Sequence, residues 1–281
     1  MSMPQFEPMS VSGILDRALR LYRDQFVRFV AIAAIVEVPL GLMMSVGLAL
    51  IIGVGTVADR SDVEPAVVIA AGGIGFLLYL VFVFVGHQIC TAALLKCVGE
   101  AYLGGEATVW QAYRFVLRKA LTLVCAAILV VLISMLGYML CIVPGVIFSL
   151  WYVLTTPAIV MENLGAVAGM GRSKQLAKGN LGKIFLVFLI ILLITWTLTY
   201  PLNFAAGLLA GLISRGDPLI SMFITQVAQF VPQIIVMPFS AAASVLLYYD
   251  LRIRKEGFDL EMLAASMGSE RKAPDVPQPH V

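Results

Sequence analysis

Charge is what this sequence has least of. Of 281 residues, 19 are Lys or Arg and 17 are Asp or Glu, a 13 % share that is too small to cover a water-soluble domain. Histidine is scarcer still. His87 lies inside an apolar run and His280 near the last residue, so neither a clustered zinc site nor an imidazole-based triad is available. The four cysteines, Cys90, Cys97, Cys125 and Cys141, lack CxxC spacing and read as small buried thiols rather than ligands or disulfides. No phosphate-binding loop, dinucleotide fingerprint or Ser-His-Asp order occurs. Basic and aromatic residues do not interleave in a soluble patch, which argues against nucleic acid. No basic segment precedes a short apolar core and a cleavage site, so no signal peptide is expected. Neither catalytic residues nor a cofactor nor a metal is expected.

What is present is apolar length. The composition is 60 % hydrophobic with a mean hydropathy of +0.96. Uncharged stretches run over residues 29–58, 65–95, 120–161, 184–214 and 218–249, broken in the first by Glu37. A spanning helix needs about 20 apolar residues. The third stretch holds two, with Pro144-Gly145 as the turn between them. The sequence therefore predicts an all-α polytopic membrane protein with six spans, near 29–54, 66–95, 120–141, 144–161, 184–212 and 219–249. Residues 1–11 form an N-terminal tail, 12–263 the membrane domain and 264–281 a polar, Pro-rich, disordered tail.

The few cations are distributed unevenly. Arg60 and Arg215 alone fall in the odd-numbered turns, and every other Lys and Arg falls on the opposite side. Basic segments stay cytoplasmic, so both termini are expected inside and the acidic 59–64 loop outside.

Three of the basic segments read as amphipathic helices, each ahead of a pair of spans. The first is expected to start at Ser12 as N-cap, with Leu15, Ala18, Leu19, Tyr22, Phe26 and Phe29 on its apolar side. Asp16, Arg20, Asp24 and Arg28 form a charge ladder opposite. The second follows Thr108, with Trp110, Tyr113, Val116, Leu117 and Leu121 apolar and Gln111, Arg114 and Arg118 opposite. The third covers about 165–178, with Val167, Met170, Leu176 and Ala177 against Lys174 and Lys178, and stops at Gly179-Asn180. The chain thus reads as three copies of interfacial helix plus transmembrane hairpin. Beyond the last span, Asp250–Arg254 and Arg252–Glu256 make i,i+4 pairs. Gly257 then stops the helix, and Asp259 caps a short segment through Leu263 that folds back on the basic helices.

Inside the spans the polar residues are few and therefore informative. Glu37, two residues before Pro39, costs about 2.5–3.5 kcal/mol at mid-membrane. It is either a proton-titrating or cation-coordinating group, or a protonated carboxyl hydrogen-bonded within the bundle. His87-Gln88 on the second span is its candidate partner, or a packing histidine. Asn203, Gln226, Gln229 and Gln233 complete the intramembrane polar set, the three glutamines on one face. Pro201, Pro232 and Pro238 interrupt the same spans, as in transporters and also in plain bundles. Gly207-x-x-x-Gly211 and Ser240-x-x-x-Ser244 allow close helix contact, within the bundle or between subunits.

Five segments carry a resemblance: Ile14–Arg23, Tyr102–Arg114, Ile142–Val146, Pro157–Glu162 with Arg172-Ser173 and Lys178-Gly179, and Leu246–Leu263. In that order they resemble the glycerophosphoryl diester phosphodiesterase membrane domain family, in its stand-alone bacterial form, over nearly the whole chain. The resemblance implies a multi-pass protein of the bacterial cytoplasmic membrane. Some members carry a soluble phosphodiesterase domain after the membrane part. Residues 250–281 follow the sixth span here and hold one histidine, His280, so the phosphodiesterase activity is not expected of this sequence.

The sequence therefore predicts a non-catalytic membrane module whose basic cytoplasmic face engages anionic lipid headgroups, a protein partner or a second copy. The surface residues are Arg17, Arg20, Arg23, Arg114, Arg118, Arg172, Lys174, Lys178, Arg252 and Arg254. The alternative is a small permease or lipid-translocating protein working through Glu37 and His87.

Overall fold

The computed structural model describes residues 8–58, 65–105 and 108–256. The 59–64 loop, the segment from Gly257 through Leu263 and the 264–281 tail lie outside the described residues, as do residues 1–7. Everything regular among the described residues is helical: α1 (Val11–Asp24), α2 (Phe26–Ala58), α3 (Pro65–Tyr102), α4 (Val109–Leu140), α5 (Ile142–Tyr152), α6 (Thr155–Glu162), α7 (Ala166–Ala177), α8 (Leu181–Ile213) and α9 (Pro218–Glu256). Among the described residues, six segments are long and apolar enough to cross a membrane: Phe26–Met44, Gly72–Tyr102, Ala120–Leu140, Ile142–Glu162, Leu181–Ile213 and Leu219–Glu256. The chain is a multi-pass membrane protein in architecture.

Helix starts follow local chemistry. Ser10, rather than Ser12, caps α1, its Oγ accepting from the Gly13 amide. Thr108 and Gln111 form a reciprocal capping box ahead of α4, satisfying two amides that lack intrahelical partners. α7 ends where Gly179 takes φ +87°, at the stop expected from Gly179-Asn180 and in a conformation glycine adopts without cost.

Two breaks differ from expectation. The turn between the third and fourth spans is the single extended residue Cys141. Pro144 sits in the first turn of α5, where its missing N–H costs nothing. Gly145 is packed against Gly137 of α4, and a Cβ on Gly137 would stand 2.9 Å from the Gly145 Cα. The fourth span is itself two helices, α5 and α6, parted at Val153-Leu154. Pro157 explains the break, because it cannot donate to the carbonyl of residue 153.

α9 organises the bundle. It packs against α8, α2, α1, α3, α7 and α6, and every residue from Ala241 to Leu251 is buried. Between apolar helices in lipid, association depends on close packing and not on expelling water. The small run Ala241-Ala242-Ala243 lets neighbours approach at that point. The buried core gathers at the end of the bundle that holds α1, α6, α7 and the C-terminal half of α9. Tyr248, Phe29, Ile14, Leu94 and Leu176 are among its largest members. This is the end that carries nearly all the cations, and it is called the basic end below. The Gly207-x-x-x-Gly211 face makes no such contact: a Cβ on either glycine would meet nothing within 4 Å. Ala206 and Ala210 are the buried small residues of α8 instead.

Candidate functional site

The basic end divides into an internal ionic framework and an outer surface. The framework has two carboxylate centres. Asp250, fully buried on α9, accepts from the Met9 amide at 2.7 Å, from Arg254 Nε at 3.0 Å and from Lys183 of α8. Lys183 and Arg254 also donate to the Met9 carbonyl, so one acid and two cations pin the start of α1 to α8 and α9. Glu162, at the end of α6, accepts from Arg172 Nε at 2.8 Å and from the Tyr248 hydroxyl, with Arg252 at 3.6 Å. Glu256 takes both Nη atoms of Arg172 and the Nε of Arg252. The Glu256 carboxylate, opposed by partial burial and joined by Glu162, holds the Arg172 guanidinium above its ordinary range. That group is a permanent cation here.

Two lysines close helix C-termini, where unpaired carbonyls carry partial negative charge. Lys119 donates to the carbonyls of Asn163 and Leu164 after α6. Lys255 donates to those of Gln175 in the last turn of α7 and of Lys178 just after it. Asp250–Arg254 and Arg252–Glu256 form as the i,i+4 spacing predicts. Arg172, Arg252 and Arg254, expected at the surface, are therefore committed to the framework. Lys183, Glu162 and Tyr248 belong to it without having been singled out; Lys183 and Glu162, isolated charges at span ends, were the available signal.

The outer surface is built differently from the expected two-sided helices. On α4, Ala112, Tyr113 and Val116 are buried. Tyr113 donates to the Ile32 carbonyl of α2 at 2.6 Å, and burial pushes its phenol up, so it stays a donor. Trp110, Leu117 and Leu121 point away from the protein, 73, 56 and 79 % exposed. They share their face with the exposed Arg114 and Arg118, since positions 110, 114, 117, 118 and 121 fall within a narrow arc of a helix. The predicted apolar stripe splits: Tyr113 and Val116 are buried, whereas Trp110, Leu117 and Leu121 stand on the exposed face with the arginines.

The same mixing recurs on the other two segments. Ile14, Ala18, Tyr22 and Phe29 are buried, whereas Leu19 and Phe26 are exposed beside Arg20 and Arg23. On α7, Val167 is exposed with Lys174 and Lys178, and Lys174 lies 4.6 Å from the Trp151 ring centroid. Arg17 is the exception in facing inward, 5.4 Å over the Tyr102 ring. The predicted ladder is half present. Arg20 meets Asp16 at 2.6 Å, but Arg28 donates to Gln25, because the break at Gln25 takes Asp24 and Arg28 out of helical register.

The intramembrane polar set comes together only in part. Nδ1 of His87 lies 3.0 Å from Oε1 of Glu37. Gln88 is half-buried, and Asn203 donates to Thr199 of its own helix. The three glutamines differ: Gln226 is buried with its Nε2 unpartnered, Gln233 is half-buried and Gln229 is exposed. Gln226 and Gln233 stand seven residues apart on one face, and Gln229 is turned off it. Ser173, which the sequence did not single out, is the polar group that closes the α5–α6 break. Its Oγ accepts from the Leu154 amide at 3.1 Å and donates to the Trp151 carbonyl at 2.7 Å.

Comparisons with protein-family models, curated proteins and solved structures return no match for this chain.

Proposed function

We propose that this is a non-catalytic protein of the bacterial cytoplasmic membrane whose basic end faces the cytoplasm and gathers anionic lipid headgroups. In this reading the spans form three hairpins, α2 with α3, α4 with α5–α6, and α8 with α9, each entered through an interfacial helix. The packing of those pairs supports it.

The observation that carries the reading is the exposed α4 face of Trp110, Arg114, Leu117, Arg118 and Leu121. A water-facing helix has no use for exposed Trp and Leu between arginines. A helix lying at the headgroup boundary needs both, with apolar groups and the indole sunk toward the acyl chains and guanidiniums reaching phosphates. Arg23, Lys174 and Lys178 extend the same surface, each cation near an anionic leaflet contributing about 1 kcal/mol, and Arg20, paired with Asp16, adds less. The framework cations are already neutralised by Asp250, Glu162 and Glu256, so they add little to it.

The test uses the full chain with Trp151→Phe and Trp196→Phe, leaving Trp110 as the one tryptophan, in bilayers with brominated phosphatidylglycerol or brominated phosphatidylcholine. Stronger quenching of Trp110 by the anionic lipid, reduced in Arg114→Gln/Arg118→Gln, is the expected result. Equal quenching by both lipids would remove the basis for headgroup selection.

A further inference from the structure

Glu37 and His87 form a contact that the lipid-surface reading does not use. Both belong to membrane-crossing segments, and the Glu37 side chain is 8 % exposed. Along α2 the nearest charged residue is Arg28, and along α3 it is Lys96. Each is nine residues away, about 14 Å at the helical rise. α9, which packs on both helices, has no charged residue between Asp217 and Asp250, and α4 has none beyond Lys119. The acid of α6, Glu162, is held by Arg172 and Tyr248. Of the other titratable groups nearby, the Cys90 thiol lies against the Ile32 and Ala33 carbonyls. The Tyr113 hydroxyl is bound to Ile32, and the Tyr22 hydroxyl of α1 to the Ile235 carbonyl. Among the described residues no lysine or arginine is paired with Glu37.

A carboxylate beside a neutral imidazole would then be an uncompensated anion among apolar helices, the most expensive arrangement of the pair. One proton removes the difficulty in either position. On His87 it gives an imidazolium–carboxylate pair; on Glu37 it gives a carboxyl group hydrogen-bonded to a neutral ring. The two forms have the same composition and differ by transfer of that proton between Nδ1 and Oε1, with no other bond made or broken.

We propose that Glu37 and His87 together form a binding site for one proton inside the membrane-spanning bundle, joining α2 to α3. The proton belongs to the pair rather than to either residue. His87 is the less buried partner, 42 % exposed against 8 % for Glu37. The site also has a mechanical neighbour. Pro39, two residues beyond Glu37, interrupts the hydrogen bonding of α2. One residue further, Leu40 packs over Gly86 so closely that a Cβ there would stand 2.9 Å away. Loss of the proton therefore acts on α2–α3 contact next to a turn of α2 that lacks a backbone hydrogen bond.

The experiment uses the full chain carrying His280→Gln, so that His87 is the one histidine, with 15N-labelled histidine in lipid nanodiscs at neutral pH. Solid-state NMR reads the ring, and infrared spectroscopy reads the carboxyl group against Glu37→Gln. Either a doubly protonated ring, or a neutral ring with a protonated-carboxyl band lost in Glu37→Gln, supports the site. A neutral ring with no such band overturns it. Should Glu37→Gln fail to fold, Glu37→Asp shifts the same band instead of abolishing it, and the ring measurement needs no acid variant.

Discussion

Replacing Ser173 by alanine isolates the energetic weight of the broken fourth span. The hydroxyl is fully buried and serves two backbone groups, the Leu154 amide and the Trp151 carbonyl, on either side of the α5–α6 break. Non-helical backbone at membrane depth survives only where the protein itself satisfies it. Alanine leaves no appreciable cavity, so the loss is one of hydrogen bonding. A buried amide without a partner costs about 1–3 kcal/mol, and the second lost bond brings the total to roughly 2–4 kcal/mol, a roughly 30- to 700-fold shift in the folding equilibrium. Unfolding in mixed micelles of graded denaturing detergent, followed by circular dichroism, measures it. Thr197→Ala is the control, because Thr197 is exposed and bonds only the Leu193 carbonyl of its own helix; it should move stability by less than about 0.5 kcal/mol. A Ser173→Ala effect no larger than that of Thr197→Ala would refute the claim that this side chain holds the break.

Three further outcomes follow from the framework and the packing. Asp250→Asn strands Lys183 and Arg254 against a neutral amide and should cost about 3–5 kcal/mol, with faster proteolysis near Met9 as a second readout. Gly169→Ala places a methyl 2.4 Å from Ile159 Cγ1 and should lower stability by about 1–3 kcal/mol through overpacking. Gly171→Ala, two residues on in open space, should raise it by about 0.5–1 kcal/mol through helix propensity, so the pair of variants must move in opposite directions in the same unfolding assay.

The spans were readable because their signal is long and cumulative. Twenty apolar residues outweigh any local irregularity, and only Pro157 inside the expected 144–161 helix warned of the break. Faces were harder. Periodicity separates apolar from polar positions, but Trp110, Leu117 and Leu121 are apolar and exposed, while Ser173 and Asp250 are polar and fully buried. In a membrane protein the outside of a helix can be as apolar as its inside, so hydropathy alone cannot assign burial. The cations show the same limit. One-sidedness is a property of composition along the chain. Whether Arg172 or Arg114 is free to meet a headgroup depends on Glu162 and Glu256, which come from other helices. The Glu37–His87 contact was legible as a pairing of the two exceptional residues in the first two spans, but its distance needed the fold. The glutamines were placed on one face by spacing, but three residues fall about 60° short of a full turn, and Gln229 is exposed.

The account rests most heavily on the exposed basic and apolar surface of the interfacial helices. The direct measurement is the relative association of spin-labelled phosphatidylglycerol and phosphatidylcholine with the full chain, by electron paramagnetic resonance, against the Arg114→Gln/Arg118→Gln variant. At about 1 kcal/mol per cation, the preference for the anionic lipid at the sites those residues face should fall about 30-fold, and added salt should weaken the wild-type preference in the same direction. A wild-type protein with no anionic preference, or a variant that keeps it in full, would contradict the account.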